Sequence, residues 1–122
     1  MLEEAAKTPV QECCGLLAGR DGIIMDIFPA TNTDANPATA YEVAPRELFR
    51  MIKEIHARNL QLMGIYHSHP RGQNFPSRSD VERAFYPETP YFILSPLPGA
   101  PQPVRAFLIR DSNVAELKIE LL

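Results

Sequence analysis

The apolar stretch from Leu62 to Tyr66 runs straight into His67-Ser68-His69-Pro70, and this junction restricts the fold more than any other part of the chain. A short apolar run of this kind predicts a strand. Strand side chains alternate, so residues two apart point to the same side, and His67 and His69 leave the strand's end together. After a polar loop from Arg71 to Pro76 comes Ser77-Arg78-Ser79-Asp80, which leaves ten residues between His69 and Asp80. Two imidazoles and a carboxylate suit a catalytic zinc ion, which needs a fourth position left open for water. The chain has three histidines, and two of them fall in this motif. A lone histidine here would read as a polar residue on an edge strand, bonded to water or backbone. The pair, followed by an aspartate one loop later, favours metal binding over that reading.

Asp80 has a second role open to it. Ser77-x-x-Asp80 has the form of a capping box, with Ser77 as N-cap and a carboxylate at the third helical position. A helix starting there would still bring Asp80 near the strand end, so capping and ligation are compatible, and the segment alone does not separate them.

The flanking chain predicts an α/β domain with a mixed, largely antiparallel sheet and two or three helices. Met1 to Lys7 reads as the tail end of a helix stopped by Thr8-Pro9. Cys14 to Gly19 and Ile23 to Phe28 are apolar runs separated by Arg20-Asp21-Gly22, and Asp-Gly between such runs is a strong hairpin signal. Pro29 to Tyr41, rich in Thr, Asn, Asp, Pro and Ala, reads as a loop. Pro45 suits a first helical turn, and the periodicity continues to Asn59. Leu48, Phe49, Ile52, Ile55 and His56 fall on one face of it, where packing in the core or at its boundary is expected of His56. A further helix is expected from Ser77 to about Phe85, then a buried strand from Tyr91 to Ser95 and a proline-rich turn from Pro96 to Pro103. Val104 to Arg110 and Ala115 to Leu121 make a final antiparallel pair around Asp111-Ser112-Asn113. Ala115, Leu117, Ile119 and Leu121 alternate with charged residues, so one face of the last strand is expected to be wet.

Composition excludes several classes. A chain of 122 residues, 45% hydrophobic and 22% charged, is one ordinary globular domain with room for a single core. Its net charge of −3, without blocks of like charge, argues against nucleic acid as a partner. No apolar run is long enough to cross a bilayer, and no basic segment precedes an apolar one at the start, so no membrane partner and a cytoplasmic location are expected. Cys13 and Cys14 are adjacent and cannot bridge distant segments in the ordinary way. They read as reduced, buried side chains, and without a second pair they are no zinc knuckle.

A zinc site also needs a group to take a proton from water and pass it to the leaving amine. Glu12, just before the Cys14–Gly19 run, is the candidate, although an acidic residue there would by itself read as a solvated surface group. In combination the residues are recognisable. Glu12-x-Cys14-Gly15-Leu16-Leu17, then His67-Ser68-His69-Pro70, then Pro76-Ser77-x-x-Asp80 together resemble the JAMM motif of the MPN-plus metalloproteases. The likeness extends to the Asp-Gly hairpin, to Tyr41-Glu42-Val43, to the helix from Pro45 and to Tyr91-Phe92-Ile93-Leu94.

The resemblance implies an MPN/JAMM domain over residues 1–122, with the architecture also found in zinc nucleoside deaminases, that hydrolyses an amide bond at the C-terminus of a ubiquitin-like protein. His67, His69 and Asp80 would hold one zinc ion per chain, with water as fourth ligand. Glu12 would serve as base and then acid. Ser77 would stabilise the oxyanion, which requires a donor aimed at developing charge. Ser68 would face away from the ligands in a structural role, and Pro70 would end the strand. The chain departs from the family in its start: a first strand and part of a first helix are missing before Glu12, which implies a truncation or a very short helix, with core left exposed or covered by a partner. It also lacks the long insertions of the polyubiquitin-cleaving members and resembles the compact bacterial and archaeal ones. Those act on ubiquitin-like sulfur-carrier proteins, removing a C-terminal cysteine or other adduct or reversing conjugation to lysine. The expected partner is such a carrier protein, and a homodimer is left open.

Three competing functions are weaker. A cell-wall or phage-tail peptidase would carry a further peptidoglycan-acting domain. A non-catalytic scaffold of this fold would not need Glu12, His67, His69, Ser77 and Asp80 all intact. A nucleoside deaminase needs Pro-Cys-x-x-Cys and His-x-Glu, which the chain lacks. The segments Asn32–Thr39 and Arg71–Phe75 could frame a groove for an extended peptide tail, but as sequence they read better as plain surface loops. A redox effect of Cys13 on its neighbour Glu12 has no support in the electropositive setting that reactive thiols need.

Overall fold

The computed structural model describes residues 1–7, 11–70 and 73–120. Among them, β1 (Cys14–Arg20), β2 (Ile23–Ala30), β3 (Gln61–Ser68), β4 (Tyr91–Leu94), β5 (Val104–Arg110) and β6 (Asn113–Leu117) form one sheet in the order β2-β1-β3-β4-β5-β6. The described helices are α1 (Leu2–Lys7), α2 (Pro45–Ala57) and α3 (Arg78–Glu82). Every neighbouring pair of strands is antiparallel except β3 and β4. This is the mixed, largely antiparallel α/β arrangement expected from the sequence. A parallel pair needs a long crossover; here it carries α3, so Asp80 follows directly on the strand that ends in the histidines.

Local chemistry explains most of the elements. Asp21 and Gly22 both take positive φ, 54° and 76°, as the two-residue turn between β1 and β2 requires. β2 reaches Ala30 and includes Pro29, which an edge strand tolerates because one side of its backbone has no ladder to serve. Alternation on the sheet separates two cores, one on each face, where the chain length had suggested a single one. Leu16, Ala18, Phe28, Ile65, Ile93 and Phe107 face α2 and pack with Met51 and Ile55. Cys13, Leu17, Tyr66, Phe92, Leu94 and Ala106 face the other way and meet Ala5 of α1. The Tyr66 hydroxyl donates to the Glu4 carboxylate and ties α1 to β3. Both cysteines are free and buried, as expected.

Several boundaries differ from expectation. α2 ends at Ala57, with Asn59 in the left-handed region at φ 57°. It turns Met51 and Ile55 inward, whereas Phe49 is 67% exposed and His56 is exposed too, so His56 packs in no core. Phe49 and His56 lie on the flank of Lys53, whose ammonium sits 5.6 Å from the Phe49 ring centre. α3 is much shorter than the expected Ser77–Phe85 because it buries no residue and rests on its cap. β6 begins at Asn113 and stops at Leu117, with Ala115 and Ile119 exposed. Among the described residues this edge strand pairs only with β5, and no described strand lies on its other side to extend the core. The stop at Thr8-Pro9, the Arg71-Gly72 part of the loop and Leu121 lie outside the described residues.

Candidate metal centre

Strand register builds the site. Cys14 stands opposite His67 across the β1–β3 ladder, and Gly15 opposite Tyr66. Continuing this antiparallel register two residues past Cys14 brings Glu12 alongside His69, on the face that carries His67. Ser68 seals the end of the pair: its N–H donates to the Cys13 carbonyl at 3.0 Å, and its Oγ accepts the Cys13 N–H at 2.9 Å. It points to the opposite face from the histidines. His69 lies just beyond β3, yet its N–H still reaches the Leu94 carbonyl of β4 at 2.8 Å.

Glu12, His67, His69 and Asp80 each offer one ligand atom, and these atoms all lie within 4.8 Å of one another. The two histidine Nε2 atoms are 3.1 Å apart. Asp80 Oδ2 is 3.1 Å from His67 Nε2 and 2.9 Å from His69 Nε2. The same oxygen accepts the Ser77 N–H at 2.9 Å, while Ser77 Oγ accepts the Asp80 N–H at 3.1 Å. Asp80 therefore completes a capping box and faces both imidazoles at once. Because Ser77 Oγ uses its acceptor side on the helix, its hydroxyl proton remains to be donated elsewhere.

The electrostatics follow from burial and these contacts. His67 is 1% exposed, and desolvation lowers its pKa and favours the neutral ring. His69 is also desolvated, but hydrogen bonds to Asp80 and to the Gln73 carbonyl outweigh this and raise its pKa. Burial alone would raise Asp80; the two imidazoles and the Ser77 N–H overcome it and hold the carboxyl far below the usual range. Glu12 Oε1 has no such partner among the described residues. Burial pushes it up to about 8, with the His69 charge opposing and Asp80 adding to the rise.

The donor set fits a metal ion. His69 Nδ1 donates to the Gln73 carbonyl at 2.8 Å, which directs the Nε2 lone pair at the cluster. Two imidazole nitrogens and a carboxylate oxygen, mutually about as close as hydrogen-bonded atoms, converge where a shared cation would satisfy all three. Among the described residues, two buried side-chain atoms have no hydrogen-bond partner, Glu12 Oε1 and His67 Nδ1, and both belong to this cluster. Buried orphans of this kind are costly and concentrate at working sites.

Some contacts were not legible in the sequence. The Tyr41 ring stacks on His67, with centroids 4.4 Å apart and planes 20° apart. Asn32, in a loop read as plain surface, binds the Glu12 carbonyl through Nδ2 at 2.9 Å. Neither has a periodic signal, and the Tyr41-Glu42-Val43 segment was the one hint along the chain. Beside Tyr41 a hollow of about 420 Å³ is lined by Leu16, Val43, Leu48 and Tyr91.

Fold and site together define a hydrolase of the JAMM metalloprotease type. The chain belongs to the family described as prokaryotic homologs of the JAB domain, which it matches over residues 1–110. It is 38% identical over 96 residues to a desampylase of Haloferax volcanii, covering 77% of this chain and 69% of that one. It is 34% identical over 119 residues to a probable TtuB-protein conjugate cleaving protease of Thermus thermophilus, covering 98% and 73%. A protein of Desulfitobacterium hafniense solved in solution superposes with a TM-score of 0.86 at 34% identity, over 100% of this chain and 86% of that one.

Proposed function

We propose that the protein is a zinc-dependent peptidase or isopeptidase that hydrolyses an amide bond at the C-terminus of a ubiquitin-like or sulfur-carrier protein, acting in the cytoplasm. The observation that carries this reading is the convergence of His67 Nε2, His69 Nε2 and Asp80 Oδ2 beside Glu12, whose buried Oε1 has no hydrogen-bond partner among the described residues. The relatives named for desampylation and for cleaving protein conjugates support the substrate class.

His67, His69 and Asp80 would hold one zinc ion per chain. When bound, the ion supplies Lewis acidity and brings the pKa of water towards about 7. Glu12, whose carboxyl holds a proton more readily than an ordinary glutamate, takes the proton of the attacking water and returns it to the leaving amine. Ser77 donates its free hydroxyl proton to the oxyanion that develops on the attacked carbonyl. The capping box keeps Ser77 and Asp80 in fixed relation, so the donor and the ligand share one rigid support.

The test is metal content by mass spectrometry on purified protein beside the His67→Ala/His69→Ala double variant, then cleavage of a carrier protein bearing a C-terminal amide-linked adduct. About one zinc per chain in the wild type, none in the variant, and cleavage abolished by chelation are expected. Wild-type protein that takes up no zinc on reconstitution, or cleaves with none bound, overturns the proposal.

A further inference from the structure

His67 and His69 are anchored differently. His69 has its outer nitrogen on the Gln73 carbonyl. His67 Nδ1 is buried and meets no partner among the described residues. A ligand imidazole is ordinarily oriented by a hydrogen bond at that position. What His67 has instead is the Tyr41 ring, stacked at 4.4 Å.

Tyr41 lies outside any helix or strand, so something must hold it in place. Asn32 does most of this. Its Nδ2 donates to the Glu12 carbonyl at 2.9 Å and to the Ala40 carbonyl at 3.0 Å. Its Oδ1 accepts the N–H of Asp34 at 3.0 Å and of Glu42 at 3.1 Å. The Glu12 N–H donates to the Pro37 carbonyl at 2.7 Å, so the loop and Glu12 are bonded in both directions. From the other side Arg83, the C-cap of α3, donates to Asp34 Oδ2 at 2.7 Å. The loop is thus pinned to the residue proposed as base and to the helix that carries Asp80.

We infer that Tyr41 is a positioning residue that fixes the His67 ring by stacking, in the role usually filled by a hydrogen bond to Nδ1, and that Asn32 and Arg83 hold Tyr41 there. Stacked aromatic pairs contribute beyond their burial and define ring orientation. A plane held over the ring removes rotation about the Cβ–Cγ bond, which a buried ring without a bonded nitrogen would otherwise retain. The consequence for zinc affinity rests on the metal reading above; the fixing of the ring does not.

The experiment uses Tyr41→Phe, Tyr41→Leu and Asn32→Ala, each checked for folding by circular dichroism. In metal-free protein carrying ¹³C-labelled histidine, the His67 ring C–H signals should be shifted upfield in the wild type and in Tyr41→Phe. They should move to the unstacked range in Tyr41→Leu and part of the way in Asn32→Ala. Zinc affinity, read by chelator competition, should fall about 10- to 100-fold in Tyr41→Leu, the range for losing an orienting partner, and stay within about threefold in Tyr41→Phe. Unchanged His67 signals in Tyr41→Leu overturn the inference, as does wild-type zinc affinity in that variant. If wild-type protein binds no zinc, the metal reading fails and the ring signals alone judge Tyr41. Should Tyr41→Leu not fold, Asn32→Ala keeps the aromatic ring and decides the question: His67 signals identical to wild type refute the role of the loop.

Discussion

Replacing Glu12 with Gln should stabilise the metal-free protein and remove its catalytic power at the same time. Glu12 is 5% exposed, and its Oε1 has no donor among the described residues. Burial raises its pKa from an ordinary 4.5 to about 8. A carboxyl whose folded pKa is raised favours folding fully below the unfolded value and loses that contribution as pH rises through the folded one. The window therefore runs from about pH 4.5 to 8. At about 1.36 kcal/mol per pH unit the ceiling on the loss is about 5 kcal/mol, and solvent relaxation around the carboxyl brings the expected figure to about 2–3 kcal/mol. Glutamine keeps the shape and carries no charge to desolvate. At pH 8, chelator-treated Glu12→Gln should melt roughly 6–10 °C above wild type, and the gap should shrink to a degree or two near pH 5. The assay is thermal unfolding by circular dichroism across that range, with turnover of the zinc-loaded proteins measured in parallel. Zinc should stay bound, and turnover should fall about 10²- to 10⁴-fold, the usual range for loss of a general acid–base group. Melting curves that coincide at pH 8, or a gap between variant and wild type that is as wide near pH 5 as at pH 8, would refute the claim that burial of Glu12 governs its protonation. Retained turnover would remove it from the mechanism.

Other outcomes are open to direct test. Asp80→Ala deletes the oxygen that faces both imidazoles, so zinc affinity should drop at least about 100-fold, against less than about tenfold for Ser77→Ala; equal metal content in the two purified variants would count against ligation by Asp80. Gly15→Ala should cost about 3 kcal/mol or more in denaturant titration, because the new methyl would sit 2.5 Å from both the Phe28 carbonyl oxygen and the Tyr66 hydroxyl, and the carbonyl is fixed in the β1–β2 ladder. Burial pushes the Cys14 thiol up to about 12, so iodoacetamide at pH 8 should leave it unmodified in folded protein and label it once denaturant is added. Stoichiometric labelling of Cys14 without denaturant would contradict its burial.

Much of the fold was written locally. The Asp21-Gly22 turn, the proline at the start of α2, the Ser77–Asp80 box and the apolar runs of β1, β3, β4 and β5 are each set by neighbours along the chain. They can therefore be placed without knowing what lies across the sheet. The histidine pair was legible for the same reason, since a period of two at a strand's end puts both rings on one side. Local pattern misled where a face had nothing to pack against, as at Phe49 and His56 on α2, at the end of α3, and beyond Leu117 on β6. Sequence by itself thus determined the α/β class and the family, and supplied the residues proposed to hold a metal. Only the tertiary structure decided that Glu12 lies beside His69, that its carboxyl is desolvated enough to titrate near 8, and that Asn32 and Tyr41 brace the site. Those facts depend on cross-strand register and on burial between segments up to about 70 residues apart, and no window along the chain contains both partners.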